Sequence, residues 1–235
     1  MWYNTFIKRG EKMEAVFKNK KAVIFDLDGT LADTVSAIVE AVNMTMDSFS
    51  FPTHTDEEVR NAIGNGATTL IRRLVPNGVR SDEALVLRVR KEYDEMYALT
   101  YMHSDRMYDG IDDTIRFLKI GRGLKLAVFS NKQDEYVKAL CEQYFPDGII
   151  DVARGQTSLP IKPDISGLLK VVEELGVSLD ECVYVGDSEV DVKTAENASV
   201  DFVGVSWGFV GKDALVAHGA TTVIDHPSQL ISLIE

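Results

Sequence analysis

Cysteine, histidine and surplus basic charge are all scarce in this chain. Cys141 and Cys182 are its two cysteines in 235 residues, too few for a disulfide framework and not at metal-type spacing. A reducing, cytoplasmic setting is therefore expected, with Cys182, which opens an apolar run, read as a small buried hydrophobe. His54, His103, His218 and His226 show no spacing that suggests a metal and are left out of the expected site. Lys and Arg number 25 against 37 Asp and Glu, for a net charge of -12 and a pI near 4.8. Nucleic acid is not an expected partner, because a duplex-binding surface must set Lys and Arg against many phosphates. An anionic substrate has to be drawn in by a local positive site instead. No apolar run approaches the roughly eighteen residues a membrane span needs. Met1 to Lys21 is broken up by Lys8, Arg9, Lys12, Lys18 and Lys20, so neither an anchor nor a signal peptide is expected there, and Met13 is a candidate true start. The chain also lacks internal repeats and low-complexity linkers.

What it does contain is a globular composition, 45% hydrophobic, and length enough for one large domain with a smaller insertion. Ala22 to Phe25 reads as a buried strand. From Thr34 to Arg106 only helical patterns follow: Ala37, Ile38, Ala41, Val42 and Thr45, then Leu70, Ile71 and Leu74, then Leu85, Val89, Tyr93 and Tyr97. Pro52, Gly64, Gly66, Pro76 and Gly78 supply the breaks. After Gly110 strand and helix alternate, with helices at Ile111 to Ile120, Asp134 to Tyr144, Ser166 to Leu175 and Val190 to Ala198. The intervening strands are expected at Leu124 to Phe129, Ile149 to Ala153, Cys182 to Val185 and Phe202 to Val205. Thr222 to Ile224 is a candidate edge strand and Pro227 to Ile234 a closing helix. That order predicts an α/β fold, a doubly wound parallel-sheet (Rossmann-like) core with an inserted all-helical cap domain. The expected divisions are 18–33 and 107–235 for the core, 34–106 for the cap and 1–17 for an N-terminal extension.

Four short pieces carry the chemistry: Asp26-Leu27-Asp28-Gly29-Thr30, Ser130-Asn131-Lys132, Lys162-Pro163, and Gly186-Asp187-Ser188 with Asp191 beyond. Three of them directly follow apolar strand-type runs, so their polar groups are expected at the carboxyl ends of buried strands, where open α/β sheets bind ligands. With Leu27 pointing elsewhere, Asp26 and Asp28 can face one pocket. Two carboxylates held together repel, and a divalent cation relieves that repulsion. With Asp187 and Asp191 added, the site is rich in oxygen and poor in nitrogen and sulfur, which favours Mg²⁺ over zinc. Phosphoryl transfer needs a nucleophile, an acid for the leaving oxygen and positive charge on the equatorial oxygens. Asp26 can attack, Asp28 can donate and later accept a proton, and Ser130, Asn131 and Lys162 can hold the phosphate. Gly29 permits the tight turn, and Thr30 can hydrogen-bond within it.

The four pieces, in this order, resemble the four signature motifs of the haloacid dehalogenase superfamily. The resemblance covers the chain from about Lys21 to its end. It implies that Asp26 forms an aspartyl-phosphate, that Asp28 is the general acid/base, and that Mg²⁺ is held by Asp26, the backbone carbonyl of Asp28 and Asp187, with Asp191 ligating or orienting. The dehalogenase branch lacks the second Asp of the first motif, so Asp28 points to phosphoryl transfer. A helical cap between the first and second motifs is the family's first cap type. The run Asn61-Ala62-Ile63-Gly64-Asn65-Gly66-Ala67, followed by Leu70, Arg72, Arg73 and Leu74, is similar to the cap of phosphoglycolate phosphatases. Lys162-Pro163-Asp164-Ile165 lacks a second Pro that relatives often carry, and Tyr108-Asp109-Gly110 stands where Pro-Gly is usual; neither departure touches a catalytic group.

Bland readings compete with each piece. Taken singly, Asp-x-Asp is a solvated turn, Ser-Asn a helix cap and Lys-Pro a loop; their joint order after strand-type runs favours catalysis. Asn131 and Asp191 can instead be structural supports, and Lys132 either meets substrate or is a solvated helix charge. Gly64-Asn65-Gly66 is either a turn between helices or a lid over the leaving group. Arg72 and Arg73 read as surface charges, and Trp207 and Phe209 as packing. The expected function is a Mg²⁺-dependent phosphatase acting on a small phosphorylated metabolite, phosphoglycolate first. The alternatives are a pyrophosphatase, a nucleotide or sugar phosphatase, a β-phosphoglucomutase-like mutase, or a non-catalytic binding protein. Monomer and homodimer both suit the composition.

Overall fold

The computed structural model describes residues 16–104, 106–146 and 148–234, without the side chains of 103 and 104. The expectations about Met13 and about the run before it lie outside these residues. The chain order is β1 (Ala22–Phe25), β2 (Ala32–Asp33), α1 (Val35–Ser48), α2 (Asp56–Arg60), α3 (Gly66–Leu74), α4 (Glu83–Ser104), β3 (Arg106–Met107) and α5 (Ile111–Arg116). It continues through β4 (Lys125–Gln133), α6 (Asp134–Tyr144), β5 (Val152–Gln156), α7 (Ser166–Leu175), β6 (Cys182–Gly186), α8 (Glu189–Ala198), β7 (Asp201–Val205), α9 (Gly211–Ala217), β8 (Val223–Ile224) and α10 (Gln229–Leu233).

Six strands form one sheet in the order β5-β4-β1-β6-β7-β8, and every pairing in it is parallel. The chain runs outward from β1 through β4 to β5, then returns to the other side of β1 for β6, β7 and β8. The reversal puts a crevice at the carboxyl end of β1, the place where such sheets bind ligands. Helices cover both faces. Val23 and Phe25 of β1 pack with Leu126, Val128, Val183 and Val185 against α5, α6 and α10. Ala22 and Ile24 face the opposite way, packing with Ala127, Phe129, Cys182 and Tyr184 against α7 and α8. This two-sided burial explains why β1, β4 and β6 read as unbroken apolar runs rather than alternating ones.

The cap has its own apolar core. Ala37, Ile38, Ala41, Val42 and Met46 of α1 meet Leu70, Ile71 and Leu74 of α3 and Val86, Val89, Tyr93 and Tyr97 of α4, with Tyr136 of α6 joining from below. The helical spacing in α4 thus holds, but Val86 is the buried residue and Leu85 only packs against the cluster. A two-residue antiparallel ribbon, Ala32–Asp33 with Arg106–Met107, stands where the chain leaves the core and where it comes back. Its strands are too short for alternation to mark them.

Four other expected elements shift. The strand read as Ile149 to Ala153 is Val152–Gln156, an edge strand whose polar Arg154 and Gln156 hid it from an apolarity search. β4 runs past Phe129 to Gln133, with a register irregularity that carries Ser130, Asn131 and Lys132. The helix expected over Ile111 to Ile120 is α only to Arg116 and closes with a π turn over Phe117–Gly121. The closing helix occupies only Gln229–Leu233. Phe17, placed in the expected extension, is buried in the core and pairs with Ile234.

Candidate active site

At the end of β1, the Asp26 N–H still donates to the Val185 carbonyl at 2.9 Å, after which the chain turns sharply. The Leu27 carbonyl accepts from the N–H groups of Thr30, Leu31 and Ala32, and the Leu27 side chain goes into the core. The turn leaves Asp26 and Asp28 on the crevice side. It also needs Gly29, whose φ is +82° and whose missing Cβ would lie 2.3 Å from Asp187 Oδ2. A Cβ on Gly208 would fall 2.2 Å from the Asp187 Cβ, so Asp187 is wedged between two bare stretches of backbone. Its oxygens accept from Thr30 Oγ1 at 3.2 Å and from the Phe209 N–H at 2.7 Å.

Lys162 is the electrostatic centre. Its ammonium, 2% exposed, lies 3.0 Å from Asp26 Oδ1 and 2.7 Å from Asp191 Oδ1 and donates to the Tyr184 hydroxyl at 3.1 Å. Tyr184 in turn donates to Asp191 at 2.8 Å. The other Asp191 oxygen accepts from the Ser188 hydroxyl at 2.6 Å and from the Ser188 N–H, closing the capping box of α8. Asn131 holds the Lys162 main chain at both ends, accepting its N–H at 2.7 Å and donating to its carbonyl at 3.2 Å. The same amide donates to the Gly64 carbonyl of the cap at 3.0 Å. Ser130 is buried beside them and accepts the Lys132 N–H. The Lys132 ammonium reaches Asp28 Oδ1 at 2.6 Å and sits 4.8 Å above the Tyr97 ring of α4.

Between core and cap lies a cavity of about 410 Å³. Asp26, Ser130 and Lys162 line it from below, and Asn65, Arg73 and Tyr97 from above.

Burial and crowding dominate the electrostatics. Loss of water pushes the Asp26 carboxyl up to about 7, with Asp191 and Asp28 adding to the shift and Lys162 opposing it. Asp187 is also held well above the usual carboxylate range, first by burial and then by Asp191 and Asp26, against the pull of Phe209 and Thr30. Burial works against the charge on Lys162, but Asp191 and Asp26 together outweigh it and raise its pKa. Oxygens of Asp26, Asp187 and Asp191 lie within 4.8 Å of one another. Around the crevice, Asp26, Asp28, Asp187 and Asp191 face the ammonium groups of Lys132 and Lys162, which leaves two formal negative charges uncompensated. A buried donor set made of oxygen alone and carrying that excess fits a hard divalent cation.

A wound parallel sheet with an acid-lined, lysine-centred crevice under a helical cap defines a class of phosphate-handling hydrolases. A family profile described as haloacid dehalogenase-like hydrolase matches residues 23–205, and the chain belongs to that family. Phosphoglycolate phosphatase 1 of Pseudomonas aeruginosa is 32% identical over 219 residues, covering 90% of this chain and 78% of that protein. The phosphoglycolate phosphatase of Photobacterium profundum is 30% identical over 224 residues, covering 93% of this chain and 97% of its own length. A crystal structure from Lactobacillus delbrueckii subsp. bulgaricus, named provisionally as a phosphoglycolate phosphatase, superposes with a TM-score of 0.83 at 33% identity, covering 89% of this chain and 96% of that one.

The sequence motifs thus converge in space: Asp26, Asp28, Ser130, Asn131, Lys162, Asp187 and Asp191 surround one crevice, and Lys132 joins them through Asp28. Three residues behave otherwise than expected. The Thr30 hydroxyl bonds to Asp187 rather than within its turn. Phe209 contributes its backbone N–H to Asp187 as well as lining the cavity. Arg73 is exposed, as expected of a surface charge, but it is not idle: its guanidinium donates to the Ala62 carbonyl at 2.9 Å and to Asn65 Oδ1 at 2.7 Å. Ser188, part of the fourth motif, acts by capping α8 and holding Asp191, whereas Tyr184 and Gly208 belong to no motif the sequence marks. Tyr184 sits inside an apolar run, and Gly208 earns its place only from a contact with a residue 21 positions earlier. Among the described residues, no histidine joins the acid cluster.

Proposed function

We propose that this protein is a Mg²⁺-dependent phosphatase that hydrolyses a small phosphate monoester through an aspartyl-phosphate on Asp26, with phosphoglycolate as the first candidate substrate. The observation that carries the reading is the Asp26 carboxylate beside a buried Lys162, with a second carboxylate, Asp28, two residues on and open to the same cavity. In the first half-reaction a carboxylate oxygen of Asp26 attacks phosphorus, the ester bond breaks, and Asp28 in its acid form gives its proton to the departing oxygen. In the second, Asp28 takes a proton from a water molecule whose oxygen attacks the same phosphorus, and the P–O bond to Asp26 breaks to release phosphate. Lys162 and Ser130 hold the phosphoryl oxygens, while Asn131 keeps Lys162 in place.

The proposed Mg²⁺ ligands are Asp26, the backbone carbonyl of Asp28, and Asp187, with Asp191 orienting Lys162 and Ser188. The cation supplies positive charge against the phosphoryl oxygens and relieves repulsion among the carboxylates. The proposed division of the chain is a core of 18–33 and 107–235 and a cap of 34–106; separate apolar clusters in core and cap support it, with the core extending back to Phe17. The phosphoglycolate reading draws on the names of the Pseudomonas and Photobacterium relatives. Phosphate release from 2-phosphoglycolate, pyrophosphate, nucleotides and hexose phosphates, with Mg²⁺ and with EDTA, tests it. A strong preference for 2-phosphoglycolate that EDTA abolishes is the expected result; release from none of the panel by folded, metal-loaded protein would overturn it.

A further inference from the structure

Among the described residues that line the cavity between core and cap, four carry a cationic side chain: Arg60, Arg73, Lys132 and Lys162. Three of them are already committed. Lys162 lies against Asp26 and Asp191, Lys132 pairs with Asp28, and Arg73 is bonded to Ala62 and Asn65. Arg60 differs. It is exposed, and its guanidinium has no hydrogen bond or ion pair with any described residue. Its position is nevertheless fixed from both sides. It is the last residue of α2, which a capping box between Thr55 and Glu58 starts. Its carbonyl accepts the Ile63 N–H at 3.3 Å, and Gly64, next in the chain, is tied to Asn131 of the core at 3.0 Å. The loop after Arg60 is thus fastened to the phosphate end of the site, and Arg73 braces it from behind through Ala62 and Asn65.

We infer that Arg60 reads a carboxylate on the leaving group, so that the protein selects phosphate monoesters whose departing alcohol carries a second negative charge. This rests on the phosphatase reading above and adds a specificity-determining residue to it. Among the described residues lining the cavity, the core offers no free cation for such a group, because a leaving group that reached Lys132 or Lys162 would have to displace a carboxylate already bonded there. A guanidinium suits the task, presenting two parallel N–H donors to a planar carboxylate. The chain's net charge of -12 sharpens the need, since an anionic leaving group otherwise meets a repulsive surface. Arg73 is a positioning residue in this scheme, acting through the loop.

Two ligands of similar size separate the possibilities: 2-phosphoglycolate, and 2-hydroxyethyl phosphate, which replaces the carboxylate by an alcohol. A short bisphosphate serves as a third arm. In Asp26→Asn protein, expected to bind without turnover, calorimetry should give a preference for 2-phosphoglycolate over the neutral ester that falls about 10- to 100-fold when Arg60→Gln is added. Arg60→Lys should restore part of it. In the turnover-competent protein, Arg60→Gln should lower the kcat/KM ratio of the two esters by a similar factor, chiefly through KM. A ratio that Arg60→Gln leaves unchanged, or equal affinity for the two esters before substitution, overturns the inference, as does failure of both to bind. A bisphosphate preferred over 2-phosphoglycolate, and dependent on Arg60, overturns the carboxylate assignment. Loss of turnover on every ester alongside Arg60-dependent binding would instead refute the phosphatase reading and leave Arg60 as an anion reader.

Discussion

In the proposed mechanism Asp26 meets two conflicting demands: it has to be ionised to attack phosphorus, yet it sits where water is excluded and other carboxylates crowd it. Asp26→Asn should lower turnover by about four orders of magnitude or more, as expected when a nucleophile is removed. The same change deletes a buried acid held at about 7, so the metal-free variant should melt a few degrees above the parent at about pH 8. Differential scanning fluorimetry in EDTA reads this, and a lower midpoint would mean that Asp26 is not under electrostatic stress. Lys162→Met acts in the opposite direction. It leaves Asp26 and Asp191 without their shared cation and should destabilise the fold by about 3–5 kcal/mol, the usual penalty for breaking a buried ion pair from one side. Urea unfolding measures that loss.

At the scale of elements, the geometry depends on loops that tie one strand end to another. The segment after β7 delivers Gly208 and Phe209 to Asp187, which follows β6. Gly208→Ala should force Asp187 to move, because the added methyl has no room, at about 1–3 kcal/mol in stability. Metal-dependent activity should fall further than stability does; titration of activity against Mg²⁺ separates the two. In the cap, α2 is only Asp56–Arg60 and relies on its reciprocal Thr55–Glu58 cap. Thr55→Ala should cost about 1 kcal/mol, visible as a lower urea midpoint.

For the whole molecule, the buried acids make stability depend on pH and metal together. Asp26 is raised from an ordinary 3.8 to about 7, and Asp187 shifts the same way. Native protein therefore holds protons that the unfolded chain has released. The resulting stabilisation is complete below about pH 3.8 and is lost as pH rises through about 7. In EDTA, the thermal midpoint should therefore carry a downward contribution from these acids between about pH 5 and pH 8. Mg²⁺ competes with protons for the same oxygens, so the midpoint gain at a fixed Mg²⁺ concentration should be larger at about pH 8 than at about pH 6. Equal gains at the two pH values would show that binding displaces no proton.

Much of this was legible in the sequence because it is local. A strand buried on both faces must be apolar throughout, so β1, β4 and β6 announced themselves, and the acidic and hydroxyl groups after them had to lie at the sheet's carboxyl edge. The helical spacing of Ala37, Ala41, Val42, Leu70, Leu74, Val89 and Tyr93 likewise exposed the cap. Elements whose stability comes from neighbours left no such trace: β5 is half polar because it is an edge, and the β2–β3 ribbon is two residues long on each side. The sheet, the insertion and the acids and lysines around the crevice can thus be read from residue order alone, since each is set by periodicity or by chemistry within a few residues. Folding in three dimensions was needed to show that Tyr184 joins Lys162 to Asp191, that Gly208 makes room for Asp187, that Asn131 fastens the cap, and that Arg60 alone among the cavity's described cations keeps its guanidinium unpaired. Those facts depend on distances between residues far apart in the chain, which packing sets and no spacing rule encodes.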